Sequence, residues 1–342
     1  MSETIFLHIG ANKTGSSAIQ SFFNLNRDAL AKQGVLYPLA GCVGEAHYGL
    51  STLLGFVHGK HQPIDLMSKP LVEIAQSLKN EILSCNAESV VISSESFVLP
   101  KSVETVRSFF SDYDVKVVVY VRRHDKWLPS SYNQAVRMVV NPPWGRGFKS
   151  YVNFHKKMGP CPSRGDYRLL LERWAKVFGK DNMIIRPYER QQNQPNIFSD
   201  FMRAIGRADV TDAVGTMEHR VNDSVDMGTL AYIEAFQRAK IDQDVRARLI
   251  KYVLENRKPV ENCAVIDPAL LLSIVEQNNE VYEYIAREYL GRDDGRLFYD
   301  PLPDASSPWK KIKQPSPADV VELVVRVMAE DADERAVKLL SI

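Results

Sequence analysis

The stretch LHIGANKTGSSAIQ, Leu7 to Gln20, places Gly10 and Gly15 at the separation used by phosphate-cradling loops. In the pattern G-x-x-x-x-G-K-[ST] a lysine follows the second glycine directly. Here Ser16 holds that position, and the only lysine, Lys13, lies inside the loop. A helix that starts after such a loop offers unpaired N–H groups and the positive end of its dipole, which together attract an anion. Thr14, Ser16 and Ser17 add hydroxyls, and Lys13 adds a full charge. Taken alone, the same residues also fit an ordinary strand-to-helix turn with a solvated lysine.

A second group follows the apolar run VVVYV: Arg122, Arg123 and His124. An enzyme working on Mg²⁺-bound triphosphates needs an acidic group near such a strand end. The charge here is the opposite, which suits a second phosphate and no metal. Arg122 and Ser130 lie eight residues apart and offer one phosphate a planar guanidinium fork and a hydroxyl. Arg123 and Ser131 share that spacing. Glu95 stands just past the run SVVIS, at the carboxyl end of an expected parallel strand, where open α/β sheets bind ligands. It is the candidate general base, with a helix-capping or ion-paired glutamate as the plain alternative. His47, in EAHYGL, is the second candidate base, because a neutral imidazole titrates in a suitable range. His8 is expected to be buried and hydrogen-bonded, and His124 to support the phosphate site.

These residues need a frame that brings strand ends together. Thr4–Ile9, Ser89–Ser93, Val115–Val121 and the stretch NMIIRPYE read as strands, apolar on both faces and alternating with helices. That pattern predicts a parallel sheet covered on both sides. Helices are expected over Ser16–Gln33, about Leu66–Cys85 with Pro70 in the first turn, around Val103–Phe110, Lys126–Val139 capped by Asp125, and Tyr167–Phe178. Asn141–Gly165 is rich in Pro and Gly, reads mainly as loop, and carries Arg146, Lys149, Lys156, Lys157 and Arg164 without any Asp or Glu. It would close over a cofactor, hold an anionic acceptor, or simply be solvated. The organisation expected is a domain over 1–300, with an α/β core at about 4–190 and a helical part at 195–290. A Pro-rich connector and a final amphipathic helix at 318–340 follow, packed on the core or on a second protomer of a homodimer.

Composition limits the alternatives. With 43 basic and 42 acidic side chains among 342 residues, bulk charge gives no argument for nucleic acid or an anionic membrane. No stretch approaches the length of a spanning helix, so no integral membrane segment is expected. Cys42, Cys85, Cys161 and Cys263 are scattered, which implies reduced thiols and a cytoplasmic setting and no structural metal.

In sum these motifs resemble the sulfotransferases that use 3′-phosphoadenosine 5′-phosphosulfate (PAPS). LHIGANKTGSSAIQ is similar to their 5′-phosphosulfate loop, and VVVYVRRHDKWLPSSY to their 3′-phosphate segment. GDYRLLLERWAKVFGKDNMIIRPYE is similar to a later helix–strand stretch of the same family. The resemblance covers about Ile5–Glu189 and is nearest to bacterial and carbohydrate-modifying members. It implies a doubly wound, P-loop-like α/β fold with a helical C-terminal region. It also implies sulfuryl transfer from PAPS to a hydroxyl or amine, on a carbohydrate or glycolipid, releasing 3′,5′-ADP without a metal. Lys13, Thr14, Gly15, Ser16 and Ser17 would hold the 5′-phosphate, with Lys13 also meeting the leaving group. Arg122 and Ser130 would hold the 3′-phosphate, a choice that puts Tyr132 where the family has an aromatic. The family places a His or Glu base near Glu95. Two departures stand out: Ser16-Ser17 replaces a common threonine pair, and GRDDGRLFYD only loosely echoes a basic cofactor loop, its Asp293 and Asp294 opposing a phosphate. The rival readings are a P-loop nucleotide kinase or NTPase and a non-catalytic nucleotide-binding protein.

Overall fold

A computed structural model describes residues 3–57, 70–210, 224–257 and 264–340, with 330–340 as backbone alone. By contact the chain divides into two compact units interleaved along the sequence. The first comprises Met1–Trp127, Pro160–Val221 and Gln277–Pro301; the second comprises Leu128–Gly159, Asn222–Glu276 and Leu302–Ile342.

The first unit is built on a five-stranded, all-parallel sheet in the order β2-β3-β1-β4-β5. Its strands are β1 (Thr4–His8), β2 (Val35–Leu36), β3 (Ser89–Ser93), β4 (Asp114–Val121) and β5 (Met183–Pro187). The α/β class expected from the continuous apolar runs is therefore the one observed. Ile5 pairs with Val90 on one side and Val115 on the other, which makes β1 the central strand. Strand order reverses at β1, and a crevice at the carboxyl ends is the usual consequence. Because side chains alternate along a strand, Phe6, Val91, Val118 and Tyr120 share one face. They pack with Ile19, Phe22 and Phe23 of α1 (Ser16–Leu25) and Phe198, Phe201 and Met202 of a later helix, Ile197–Ala204. Ile5, Leu7, Val90, Ile92, Val117 and Val119 point the other way and are equally buried. Each such side chain contributes about 1.5–3 kcal/mol on leaving water, which is why both faces must be covered.

Several local readings need correction. The helix expected over Ser16–Gln33 breaks at Asn26 into α1 and a short α2 (Arg27–Ala31); Asn26 closes α1, its backbone N–H and its side-chain amide both donating to Phe22 O. After α3 (Tyr48–Leu53), α4 runs Leu71–Cys85 with Pro70 ahead of it as its cap, not in its first turn; 66–69 lie outside the described residues, as does Cys263. Beyond α5 (Glu104–Phe109), α6 (His124–Met138) begins one residue before Asp125. Asp125 is thus inside the first turn, paired with Arg123, and does not cap the helix. The stretch read as loop contains a true helix, α7 (Phe148–Lys157). The helix α8 (Tyr167–Phe178) has the bounds the periodicity predicts; Asp166 accepts from Leu169 N–H at one end and Gly179 closes the other. Trp174 of α8 packs with Phe56 and Phe97 and stacks on Phe178 of the same helix.

In chain order the remaining helices are α9 (Ile197–Ala204), α10 (Met227–Arg238), α11 (Gln243–Asn256), α12 (Pro268–Glu276), α13 (Asn279–Leu290) and α14 (Pro317–Leu340). Of these, α9 and α13 belong to the first unit and the others to the second. In the second unit α11 packs on α10 and α14. Among the described residues no helix is long and apolar enough to cross a membrane.

Candidate active site

Four strands of the first unit end on one edge of the sheet, and each end carries a polar group. The ladder continues past the strand ends through Ile9 N–H to Val118 O (3.1 Å), Ser94 N–H to His8 O (3.1 Å) and Tyr188 N–H to Val121 O (2.7 Å). This brings the loop after β1, Glu95 after β3, Arg122 after β4 and Tyr188 after β5 to a common rim.

The loop from Gly10 to Gly15 turns on three residues with positive φ: Gly10 (+45°), Lys13 (+65°) and Gly15 (+82°). A side chain at Gly10 would meet Glu95 Cγ and Ser16 Oγ at 3.2 Å; one at Gly15 would meet Ile197 Cδ1 at 2.6 Å and Tyr188 Cε2 at 2.9 Å. Lys13 has no such licence as a non-glycine, and its left-handed backbone costs about 1–3 kcal/mol. Three contacts hold it there: Arg122 Nη1 donates to Lys13 O (3.0 Å), Trp127 Nε1 donates to Asn12 O (2.8 Å), and the Thr14 hydroxyl donates to Ala11 O. The loop is thus fixed from below and from the side before any ligand arrives.

At the start of α1 no side chain caps the helix, and its first turn holds no acidic residue. The N–H groups there keep their electropositive character. Ser17 is exposed at this end, whereas Thr14 and Ser16 are buried. Ser16 turns toward Ala11 O and Glu95, so the hydroxyls expected to act together face different ways.

Glu95 opens a 3₁₀ turn, Glu95–Val98, and is half-buried. Burial raises its carboxyl above the usual range, while the Ser16 hydrogen bond and the Lys13 charge act against that rise. A carboxylate tuned upward beside a cation is the environment expected of a proton acceptor. Tyr48, at the start of α3, shares this environment. Burial first and the Glu95 charge second push its phenol up to about 12, so it stays a neutral donor.

His47 does not reach the site. It is fully buried; Ser93 N–H donates to its Nδ1 (3.1 Å), its Nε2–H donates to Pro38 O (3.0 Å), and its own backbone N–H donates to Ser93 O (2.8 Å). Burial lowers it to about 3. Both ring nitrogens are committed to the core, which removes it as a direct base. His8 behaves as expected: it is buried, lowered to about 3 by burial, and its Nδ1 is 2.8 Å from Ser93 Oγ, which also accepts from Gln20 (3.0 Å). His124 is likewise neutral, lowered to about 4 by burial, and fixed between Tyr282 (2.6 Å) and Gly165 O (2.8 Å).

The two adjacent arginines part company. Arg123 is buried, bidentate to Asp125 (2.8 and 2.9 Å), and donates to Asp300 O (2.6 Å) and Pro301 O (2.9 Å). Its donors are consumed inside the unit. Arg122 is half-buried, with its guanidinium 5.3 Å over the Tyr188 ring and one donor on the loop. Ser130 lies half-buried on α6 in the second unit, and Ser131 there bonds Tyr151 (2.7 Å). Sequence reasoning missed Tyr48 and Tyr188; the only hints were their places beside His47 and in the RPYE strand end.

No protein-family model matches the chain. An uncharacterized protein of Archaeoglobus fulgidus is 26% identical over 212 residues, 59% of this chain; the match spans about half, 54%, of that relative's length. A crystal structure of a sulfotransferase from Alicyclobacillus acidocaldarius superposes with a TM-score of 0.40 at 16% identity, covering 69% of this chain and 92% of that one. A likeness at that level decides neither fold nor function, and the functional reading rests on the residues above.

Proposed function

We propose that the chain is a sulfotransferase acting on a hydroxyl or amine, with a carbohydrate or glycolipid as the acceptor. PAPS would supply an activated sulfuryl group, which passes from the 5′-phosphate to the acceptor's oxygen or nitrogen as 3′,5′-ADP is released. The observation that carries this reading is the loop itself: Lys13 is held in a left-handed turn by Arg122, beside an uncapped helix start and next to Glu95. The tight space at Gly10 and Gly15 fits a loop whose backbone must approach a phosphate closely.

In this reading the N–H groups at the start of α1 and the Ser17 hydroxyl hold the 5′-phosphate oxygens. Lys13 faces the bridging oxygen, where negative charge grows as the sulfur–oxygen bond breaks. Glu95 takes the acceptor's proton as the new bond to sulfur forms, and its raised carboxyl makes it the better base near neutral pH. Tyr48 donates to Glu95 or to the acceptor oxygen and orients it. Arg122 keeps four N–H donors beyond the one on Lys13 O. These serve the 3′-phosphate.

Calorimetric titration with 3′,5′-ADP, with and without Mg²⁺ and beside ATP, tests the reading. Micromolar, metal-independent binding of 3′,5′-ADP that Lys13→Ala and Arg122→Ala both weaken supports it. Mg²⁺-dependent binding of ATP in place of 3′,5′-ADP would replace it with the kinase reading. Binding without turnover of PAPS across an acceptor panel would leave a nucleotide-binding protein.

A further inference from the structure

In the second unit, Asn141–Gly159 holds four lysines and arginines, Arg146, Lys149, Lys156 and Lys157, and no Asp or Glu. Its helix α7 turns Phe148, Tyr151 and Val152 inward, where they are buried, and leaves Lys149, Asn153, Lys156 and Lys157 exposed. Positions 149, 153 and 156 recur at helical spacing, so they form one stripe about 10 Å long at 1.5 Å per residue. Arg146 extends it beyond the amino end and is also exposed. None of Arg146, Lys149, Lys156 and Lys157 takes part in an ion pair among the described residues.

Helix electrostatics accounts for only half of this. Cations at the carboxyl end of a helix offset its dipole, which explains Lys156 and Lys157. Lys149 lies in the first turn with no acidic residue beside it, where the same dipole opposes a cation. The turn ahead of α7 is also built to hold its shape. Buried Glu234 accepts from Trp144 Nε1 (2.9 Å), Gly147 N–H (2.8 Å) and Tyr132 (3.1 Å), and pairs with Arg238 (2.9 Å). Arg238 in turn donates to Trp144 O (2.6 Å) and Gly145 O (3.0 Å). A buried carboxylate thus fixes the backbone on either side of Arg146.

We propose that the outer face of α7, with Arg146 ahead of it, docks a linear anionic polysaccharide whose carboxylate or sulfate groups recur along an extended chain. The side chains favour this occupant over other polyanions. A bilayer would require a broad apolar surface on the same face, but Phe148, Tyr151 and Val152 are turned inward and Phe154 is half-buried, which leaves Met158 as the exposed apolar side chain beside the cations. Single-stranded nucleic acid is held by aromatics on which bases stack, whereas the aromatics here are largely buried, and three of the four cations are lysines without the planar fork of arginine. Asn153, between Lys149 and Lys156, offers an amide that can both donate to and accept from a sugar hydroxyl. The inference stands apart from the nucleotide reading and would survive its failure.

The test is titration of the full chain with chondroitin sulfate and with polygalacturonate over a salt series, beside duplex DNA and phosphatidylglycerol vesicles. Both polysaccharides should bind, with log affinity falling against log salt at a slope of about 0.7 per lysine engaged, by analogy with single-stranded polyanions. The variant Lys149→Ser/Lys156→Ser/Lys157→Ser should lose roughly tenfold or more in affinity and flatten that slope by about 2. Unaltered unfolding by heat would show that the variant folds. The control Lys32→Ser/Lys79→Ser/Lys101→Ser, exposed in the first unit, should bind as the parent does. Absence of salt-dependent binding, equal loss in the control, no loss in the α7 variant, or tighter binding of DNA or vesicles would each overturn the proposal.

Discussion

Arg122 and Arg123 are neighbours of the same chemistry, and the structure assigns them opposite consequences. Replacing Arg123 with alanine strands Asp125, itself buried, and takes a donor from each of two backbone carbonyls. Removing one partner of a buried pair costs about 3–5 kcal/mol. At a urea slope of about 3 kcal/mol/M, the unfolding midpoint falls by about 1–1.7 M. Arg122→Ala loses one hydrogen bond to a carbonyl and a stacking contact with Tyr188, about 1–2 kcal/mol together. If Arg122 holds the 3′-phosphate as proposed, its larger effect is on binding, since a charged hydrogen bond to phosphate is worth about 1.5–3 kcal/mol, or roughly ten- to a hundredfold in Kd. Urea unfolding and 3′,5′-ADP titration on both variants separate the two roles. If Arg122→Ala unfolded first while a stable Arg123→Ala lost the nucleotide, the assignment of phosphate binding to Arg122 would be refuted.

Glu95→Gln should keep 3′,5′-ADP affinity and lose about 10²–10⁴-fold in turnover. In the parent, the rate should rise with pH through a value above the ordinary carboxylate range, because the base must be ionised; a limb at the ordinary value or below would count against Glu95. The same raised carboxyl binds its proton more tightly folded than unfolded, so its contribution to stability falls as pH rises from the ordinary value through the raised one. His8, His47 and His124 carry the opposite sign: folded values near 3, 3 and 4 against 6.5 mean that the unfolded chain takes up protons the folded chain refuses. Stability is lost as pH falls below 6.5, by up to about 1.4 kcal/mol per pH unit for each histidine, and a flat profile between pH 6 and 4 would contradict their neutral burial. Gly15→Ala should abolish nucleotide binding, whereas Gly44→Ala, at φ +60° with nothing within 4 Å, should cost about 1–2 kcal/mol of stability through its backbone alone and leave binding intact; equal effects on binding would show that the loop tolerates displacement.

Long apolar runs made β1, β3, β4 and β5 legible, and strong periodicity made α8 legible to the residue. The two-residue edge strand Val35–Leu36 is too short to leave a pattern. The helix α7 was hidden by its flanks: Pro142, Pro143, Gly145 and Gly147 before it and Gly159, Pro160 after it outweighed the inward spacing of Phe148, Tyr151 and Val152. Strand order carries no local signal at all. At the site, residue types pointed to Lys13, Glu95 and Arg122, but no rule of spacing separates Arg122 from Arg123. That choice depends on the carbonyl of Asp300, 177 residues away from Arg123. His47 was misjudged for a similar reason, since the partners that absorb it, Pro38 and Ser93, lie in other segments.

Gly15 is closed in by Tyr188 and Ile197, and Tyr188 lies under Arg122. Three segments distant in sequence therefore share a single small volume, and none can drift freely. A descendant that enlarged residue 15 would have to shrink residue 197 or 188, and shrinking 188 would loosen the arginine that anchors the lysine turn. Among lineages of this chain, substitutions at 15, 122, 188 and 197 should then arrive together or not at all, a historical signature that an alignment of its relatives can reveal.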